Sequence, residues 1–258
     1  VKEESFSLTL DEVKPLAKEQ LTLIQVPLYE EKRFIPVYGV EEIYITNQQR
    51  DVIPCESLVH VGQYVHIFQT LHWQGQTNSF PFKRKEIRFS EDVTPEQAFA
   101  DQRHPDAFPI TKAEQKQCVQ GLIPFMGQVY PDESGKWVLK TLHREKGYMV
   151  ATLIKNEPLN LPFQRKLLVF LDPTTFQAIN YMDNQSLLAV FQDFKQAENV
   201  VFTQEHAFEK LDGLITLTPV YLFDGESRQY ILCGKLDCLY GVDAVSGKVD
   251  LLNEYFKR

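Results

Sequence analysis

Three histidines, His60, His66 and His72, recur every six residues and would share one face of an extended strand. Metal coordination is the chemistry such a row invites. Six residues of strand cover about 20 Å, whereas a metal holds its ligands within about 2 Å, so one straight strand cannot gather them. A hairpin at Gly62 would bring only His60 and His66 closer, and the spacing reads as structural or surface histidines with no metal. The chain has no HExxH, GxSxG or P-loop pattern, and no cofactor is expected. A Ser–His–Asp triad could be assembled only from distant positions, because triads are defined by geometry. Paired acids are plentiful: Glu30-Glu31, Glu41-Glu42, Glu91-Asp92 and Asp132-Glu133. Most lie in segments that read as turns, where carboxylates are solvated. A glycosidase-type acid needs an apolar pocket to raise its pKa, and no pattern marks one.

The four cysteines, Cys55, Cys118, Cys233 and Cys238, form no CxxC pair, which removes the usual zinc and thioredoxin spacings. Reduced cysteine packs as a small apolar group, so buried free thiols are expected, with one disulfide between distant segments as the alternative. Trp73, Phe80 and Phe82 stand in a polar, Gln-rich stretch. In a loop they would form an exposed binding surface for a glycan or a peptide; packing on an edge strand is the other reading.

Those side chains need a scaffold, and the bulk composition supplies one. Of 258 residues, 43% are hydrophobic and 24% charged, as in ordinary globular chains. The net charge of -8 disfavours broad binding to a phosphate backbone, so no nucleic-acid partner is expected. The basic run Lys83-Arg84-Lys85 with Arg88 is interrupted by Glu86 and reads as a solvated loop or strand end. No run of 18 apolar residues could span a membrane. A start at Val1 rather than Met carries the expectation of a removed upstream segment: a signal, a membrane anchor or a trimmed start.

The two ends read alike. Leu10–Ile53 and Thr203–Leu252 each open with a short helix behind an acidic cap region and continue as a run of strands. Leu21-Thr22-Leu23 matches Ile215-Thr216-Leu217, and Val26 and Leu28 match Val220 and Leu222. The spacing then predicts strands over Phe34–Val40 and Gln229–Cys233, and over Glu42–Thr46 and Cys238–Val242. The turn Asp243–Gly247 has an Asp that can fold onto nearby N–H groups and a Gly that tolerates positive φ. Between the ends lies a larger unit of the same kind. Thr111 and Glu114 form a capping box for a helix that Gly127 and Pro131 should end. Strands over Lys136–His143, Tyr148–Ile154, Lys166–Asp172 and Ala178–Met182 follow, with Gly147, Asn156-Glu157-Pro158 and Asp172–Thr175 as punctuation. Leu58–Phe89 reads as two or three strands, Thr94–Phe99 echoes Thr203–Phe208, and Asn184–Glu198 reads as a helix. Duplication of one helix-and-meander unit explains the pattern. The expected segments are 1–58, 59–104, 105–185 and 186–258.

The string Thr203-Gln204-Glu205-His206-Ala207-Phe208, the strand Leu217–Leu222 and the hairpin Val242–Val249 resemble the YcdB/YcdC repeat proteins of Bacillus-type bacteria and, more distantly, PepSY domains. The central Leu168–Thr175 agrees in outline, although Phe176 stands where that family has glycine. The resemblance implies an α+β fold of PepSY-like helix-plus-antiparallel-meander units, with sheets carrying helices on one face. It also implies an extracytoplasmic, non-catalytic binding or regulatory module of the cell envelope with a protein or peptide partner. An extended peptide could add to a sheet edge, for which Phe34–Val40 and Tyr64–Leu71 are candidates. The alternative is a hydrolase with a site assembled between the two halves, near Asp101–Pro109. It predicts a histidine within hydrogen-bond reach of an acid or a serine.

Overall fold

Helices begin where a threonine can cap them, because a side-chain oxygen there satisfies a backbone N–H that has no partner within the helix. In the computed structural model, which describes residues 8–46, 52–54, 64–74, 82–94, 96–97, 100–158, 162–224 and 227–255, Thr9 opens α1 (Leu10–Glu19) through a capping box with Glu12. Thr111 opens α2 (Lys112–Val129) through the same box with Glu114, at 2.8 and 3.1 Å. Beyond the short α3 (Gln185–Phe191), Thr203 caps α4 (Gln204–Leu211). The four-residue α5 is Leu252–Tyr255.

Each threonine-capped helix is followed by four strands. After α1 come β1 (Leu21–Leu28), β2 (Arg33–Val40), β3 (Ile43–Thr46) and β4 (Val52–Pro54). An extra strand, β5 (Tyr64–Thr70), precedes α2. After α2 come β6 (Trp137–Glu145), β7 (Tyr148–Lys155), β8 (Lys166–Leu171) and β9 (Ala178–Asp183). After α4 come β10 (Thr216–Asp224), β11 (Gln229–Asp237), β12 (Tyr240–Asp243) and β13 (Val249–Leu251). The fold is α+β, with antiparallel strands in three sheets and helices packed against them.

The central copy keeps its own strands. Its sheet runs β5-β6-β7-β8-β9, and α2 lays Cys118, Leu122, Phe125 and Met126 on a core of Trp137, Leu139, Leu142, Met149, Leu153, Leu167 and Leu171. The end copies exchange strands. One sheet runs β1-β2-β12-β13 and the other β10-β11-β3-β4, so each first hairpin pairs with the other copy's second hairpin. Gly39 faces Gly241, and Gly234 faces Ile45. The connectors explain the difference. A two-residue reversal needs positive φ at its centre and favours Asn or Gly. Glu41-Glu42 and Cys238-Leu239 offer neither, so the chain runs on into the opposite sheet. In the central copy, β7 and β8 are joined through Asn156-Glu157-Pro158 and the residues up to 165, long enough to reverse.

The chain therefore divides into two compact units, one holding the described residues of 56–189 and the other formed mainly from the two ends. The second unit has its own core, where Val13 and Ala17 of α1 and Ala207 and Leu211 of α4 meet Tyr38, Ile43, Ile45, Leu236 and Val242. Cys118, Cys233 and Cys238 are buried, Cys118 and Cys238 as free thiols; Cys55 lies outside the described residues. Burial in apolar surroundings pushes the Cys118 thiol up to about 12.

Several local expectations change. The helix expected over Asn184–Glu198 stops at Phe191, because Lys195 is drawn alongside the β1–β2 hairpin. Its N–H donates to the Lys32 carbonyl at 2.8 Å, and its carbonyl accepts the Phe34 N–H at 3.1 Å. Gly127 does not end α2; it is buried within the helix, which continues to Val129, and packing overrides the propensity. Of Leu58–Phe89, the described strand is Tyr64–Thr70, and Phe82–Ser90 runs irregularly beside β9. Phe34–Val40 is no edge, since β2 pairs with β1 on one side and β12 on the other.

The central and C-terminal copies share one turn between their last two strands. Asp172 Oδ1 accepts the Thr174 and Thr175 N–H groups at 2.8 and 2.9 Å; Asp243 Oδ1 accepts those of Val245 and Ser246 at 2.9 and 3.1 Å. The Phe176 N–H reaches the Asp172 carbonyl at 2.8 Å, as the Gly247 N–H reaches that of Asp243. Phe176 keeps the left-handed conformation of the glycine it replaces, φ +58 against +75. That conformation costs a non-glycine residue about 1–2 kcal/mol. Burying the ring in the α2 core returns about as much or more. Gly247 has no such freedom, because a Cβ there would strike the Phe202 ring. Asp172→Ala and Asp243→Ala are each expected to lower stability by about 1–3 kcal/mol, and the Asn variants by less, since an amide oxygen still accepts both N–H groups. Urea unfolding of the four variants checks this.

Candidate functional site

The side chains singled out from sequence are placed differently from one another. Trp73 is 7% exposed and part of the α2 core. Its indole N–H donates to the Tyr130 carbonyl at 3.1 Å and its backbone N–H to Ser134 Oγ at 2.8 Å. The exposed-platform reading is thereby corrected: with a partner for its one polar group, the ring can be buried. Phe82 is half-buried, its ring edge-on to Phe125 and Tyr181 at 5.0 and 5.7 Å. Phe80 and His60 lie outside the described residues. His66 is exposed and stacks on Phe68, and His72 is exposed beside Gly135. Among the described residues no three His, Cys, Asp or Glu side chains converge as metal ligands would.

A histidine and an acid do meet in the Asp101–Pro109 stretch. His104 and Asp106 are both buried, and the Asp106 N–H donates to His104 Nδ1 at 3.1 Å. That bond makes Nδ1 an acceptor, so the 3.4 Å approach of Nδ1 to Asp106 Oδ2 is not an ion pair. The Asp106 oxygens accept the Lys146 and Gly147 N–H groups, at 2.6 and 2.9 Å, in the β6–β7 turn. The pair fastens a turn. Beside it Arg144 donates to the Phe108 carbonyl at 2.7 Å and to Glu114 Oε1 at 2.8 Å. Burial works to raise the Glu114 carboxyl, but the Thr111 N–H and the Arg144 guanidinium outweigh it and hold it below the ordinary carboxylate range. These groups line an open cleft of about 570 Å³, and in it Glu114 and Arg144 neutralise each other.

A second open cleft, also about 570 Å³, lies where α2 ends beside β9. Behind it Arg165 is 5% exposed and grips Asp183 with two nitrogens, Nε to Oδ1 at 2.8 Å and Nη2 to Oδ2 at 2.7 Å. The Tyr130 hydroxyl donates to Asp183 Oδ2 at 2.5 Å, and the Gln185 N–H to Oδ1 at 2.9 Å. Burial tends to raise the Asp183 carboxyl, but Arg165, Tyr130 and the Gln185 N–H reverse that and lower it. Burial and the Asp183 charge both push the Tyr130 hydroxyl up, so it stays a hydrogen-bond donor. On the outer wall, Arg84 Nη1 donates to Asn180 Oδ1 at 3.0 Å and to the Tyr181 carbonyl at 2.8 Å, and the guanidinium lies 4.3 Å from the Tyr181 ring centre. The sequence flagged Arg84 only as part of a charge run. Its fixed orientation depends on residues almost a hundred positions away.

Asp183, Glu114 and Asp172 all have carboxyls lowered by folding, so their linkage to stability has one sign. Each contributes fully above the unfolded value of about 4 and loses its contribution as pH falls through the lower folded value. The unit containing β5–β9 is therefore expected to lose stability below about pH 4, and Asp183→Asn to flatten that slope. Urea midpoints followed by tryptophan fluorescence at neutral and acid pH test it, since both tryptophans, Trp73 and Trp137, lie in this unit's core.

No family model and no curated protein matches the chain. Among solved structures it is similar to the Bacillus megaterium YpeB C-terminal domain, over 96% of this chain and 99% of that one, with 11% identity and a TM-score of 0.26. So slight a likeness carries no assignment of family or activity.

Proposed function

We propose that this chain is a non-catalytic, PepSY-like binding or regulatory module of the bacterial cell envelope that takes an extended segment of a protein or peptide partner. The observation that carries the reading is the recurrence of one unit whose repeated side chains serve the scaffold. Thr9, Thr111 and Thr203 cap helices, and Asp172 and Asp243 hold turns. The charged groups of the two clefts are likewise engaged with each other or with backbone, apart from the Nε and Nη2 donors of Arg84 among the described residues; Arg103 donates to the Arg228 carbonyl at 3.4 Å. Catalysis needs a group held ready for a substrate, and repetition of capping residues supplies none.

The partner adds along β5. This strand lies at the end of its sheet and has no strand on its outer side among the described residues. A bulge between His66 and Gln69 interrupts it, and Phe68 sits there at φ +55, 65% exposed and stacked on His66. Strain of this kind costs about 1–3 kcal/mol and persists where surrounding structure or function holds it. The bulge keeps the edge from pairing indiscriminately, and Phe68 offers a side-chain contact for a selected partner.

Peptides selected against the full chain from a random display library test the reading by hydrogen exchange. Binders should slow exchange of the β5 amides, and Phe68→Asp should weaken them about tenfold or more. Selection that returns no binder, or binders that leave β5 exchange unchanged, counts against edge addition. Turnover of ester, peptide or glycoside substrates by the purified chain would overturn the non-catalytic reading. Fractionation of cells producing the protein from its natural gene tests the envelope location.

A further inference from the structure

Arg84 is an exposed arginine held by two hydrogen bonds and a ring contact. One nitrogen, Nη1, makes both of its hydrogen bonds, to Asn180 Oδ1 and the Tyr181 carbonyl, and the plane rests on the Tyr181 ring. The Nε and Nη2 donors make no bond among the described residues. A guanidinium fixed in this way loses little freedom on meeting a planar carboxylate, which it can hold with two parallel bonds.

Charge in the cleft favours such a ligand. The acid lining it, Asp183, is neutralised by the bidentate Arg165 and hydrogen-bonded by the Tyr130 hydroxyl. Among the described residues that line the cleft, Arg84 is left as the charge without an acidic partner, with Lys83 and Lys85 exposed on either side. The remaining lining joins apolar Val129 and Met182, the latter 61% exposed, to the polar side chains of Gln185 and Ser186. A volume of about 570 Å³ is within the range of small-ligand sites, about 300–1,000 Å³.

We infer that this cleft binds the free C-terminal carboxylate of a peptide whose last side chain is apolar, with the carboxylate on Arg84. The apolar side chain meets Met182 and Val129, and the last peptide amides meet Gln185 and Ser186. A fatty acid would satisfy Arg84 but has no peptide amides to meet the exposed Gln185 and Ser186 side chains. The site is separate from β5, so edge addition there and carboxylate capture here succeed or fail independently.

N-acetyl-alanyl-leucine, its C-terminal amide and decanoate are titrated into the full chain at low salt, with backbone and methionine-methyl NMR shifts as readout. The acid should shift Met182, Tyr181 and Gln185 and bind about tenfold more tightly than the amide. Arg84→Gln should remove that preference while the backbone shifts of β6–β9 show the fold retained, and Arg84→Lys should restore part of it. Equal binding of acid and amide would overturn the inference, as would no shift up to about 20 mM. Decanoate binding more tightly than the peptide acid would also overturn it, by making this a fatty-acid site. A preference that survives in Arg84→Gln would assign the carboxylate elsewhere.

Discussion

Asp183→Leu is expected to destabilise the unit containing β5–β9 by about 3–5 kcal/mol, because it strands a charged guanidinium in the interior. Arg165 has 5% of its surface exposed, and its two bonds to Asp183 are its main compensation. Gln185 Oε1 at 3.1 Å and the Trp137 ring 5.4 Å away cannot replace an opposite charge. The Tyr130 hydroxyl loses its acceptor in the same substitution. Removing both charges is a different experiment. Arg165→Met with Asp183→Leu replaces the pair by apolar groups, and such exchanges are often neutral to about 4 kcal/mol stabilising. The double variant should therefore recover most of the single variant's loss. Urea unfolding followed by tryptophan fluorescence measures both, as Trp137 is fully buried in this core. A double variant as weak as Asp183→Leu would show that the pair's worth lies in its hydrogen bonds to Tyr130 and Gln185 and not in charge balance.

Phe191→Ala is expected to cost the other unit about 3–5 kcal/mol. Phe191 is 2% exposed and touches three rings, with centroids 5.2 Å away at Phe34, 5.1 Å at Phe194 and 5.9 Å at Tyr29. The cluster joins the β1–β2 turn to the chain after α3, and the backbone bonds of Lys195 run beside it. Truncation leaves a cavity in the cluster and loosens those bonds. The loss should appear in the exchange of β1 and β2 amides and in the part of the circular dichroism transition not followed by tryptophan. A shifted tryptophan midpoint would instead mean that the two units unfold as one cooperative body.

Local chemistry was legible in the residues themselves. Threonine caps, proline stops and the Asp turn act over four or five residues, so Thr111 with Glu114 and the edges of β6 to β9 could be read directly. The repeat was legible for the same reason, since each copy carries its own caps and alternation. The placing of Phe176 shows the limit: its positive φ follows from the turn, but the apolar space that rewards its ring belongs to α2.

What only the tertiary structure decided was which partner each element found. Alternating strands state which face is apolar, not whose hairpin lies alongside, so the exchange of β3 and β12 between end copies was not written in either copy alone. Trp73 reads as polar-loop aromatic because its neighbours are glutamines; the Tyr130 carbonyl that lets it be buried is 57 residues away. Asp183 and Arg165, and Arg84 on Tyr181, are likewise ordinary charges until folding brings them together. Short-range hydrogen bonding depends on sequence neighbours, whereas burial and charge pairing depend on distance in space, and only the folded chain sets that distance.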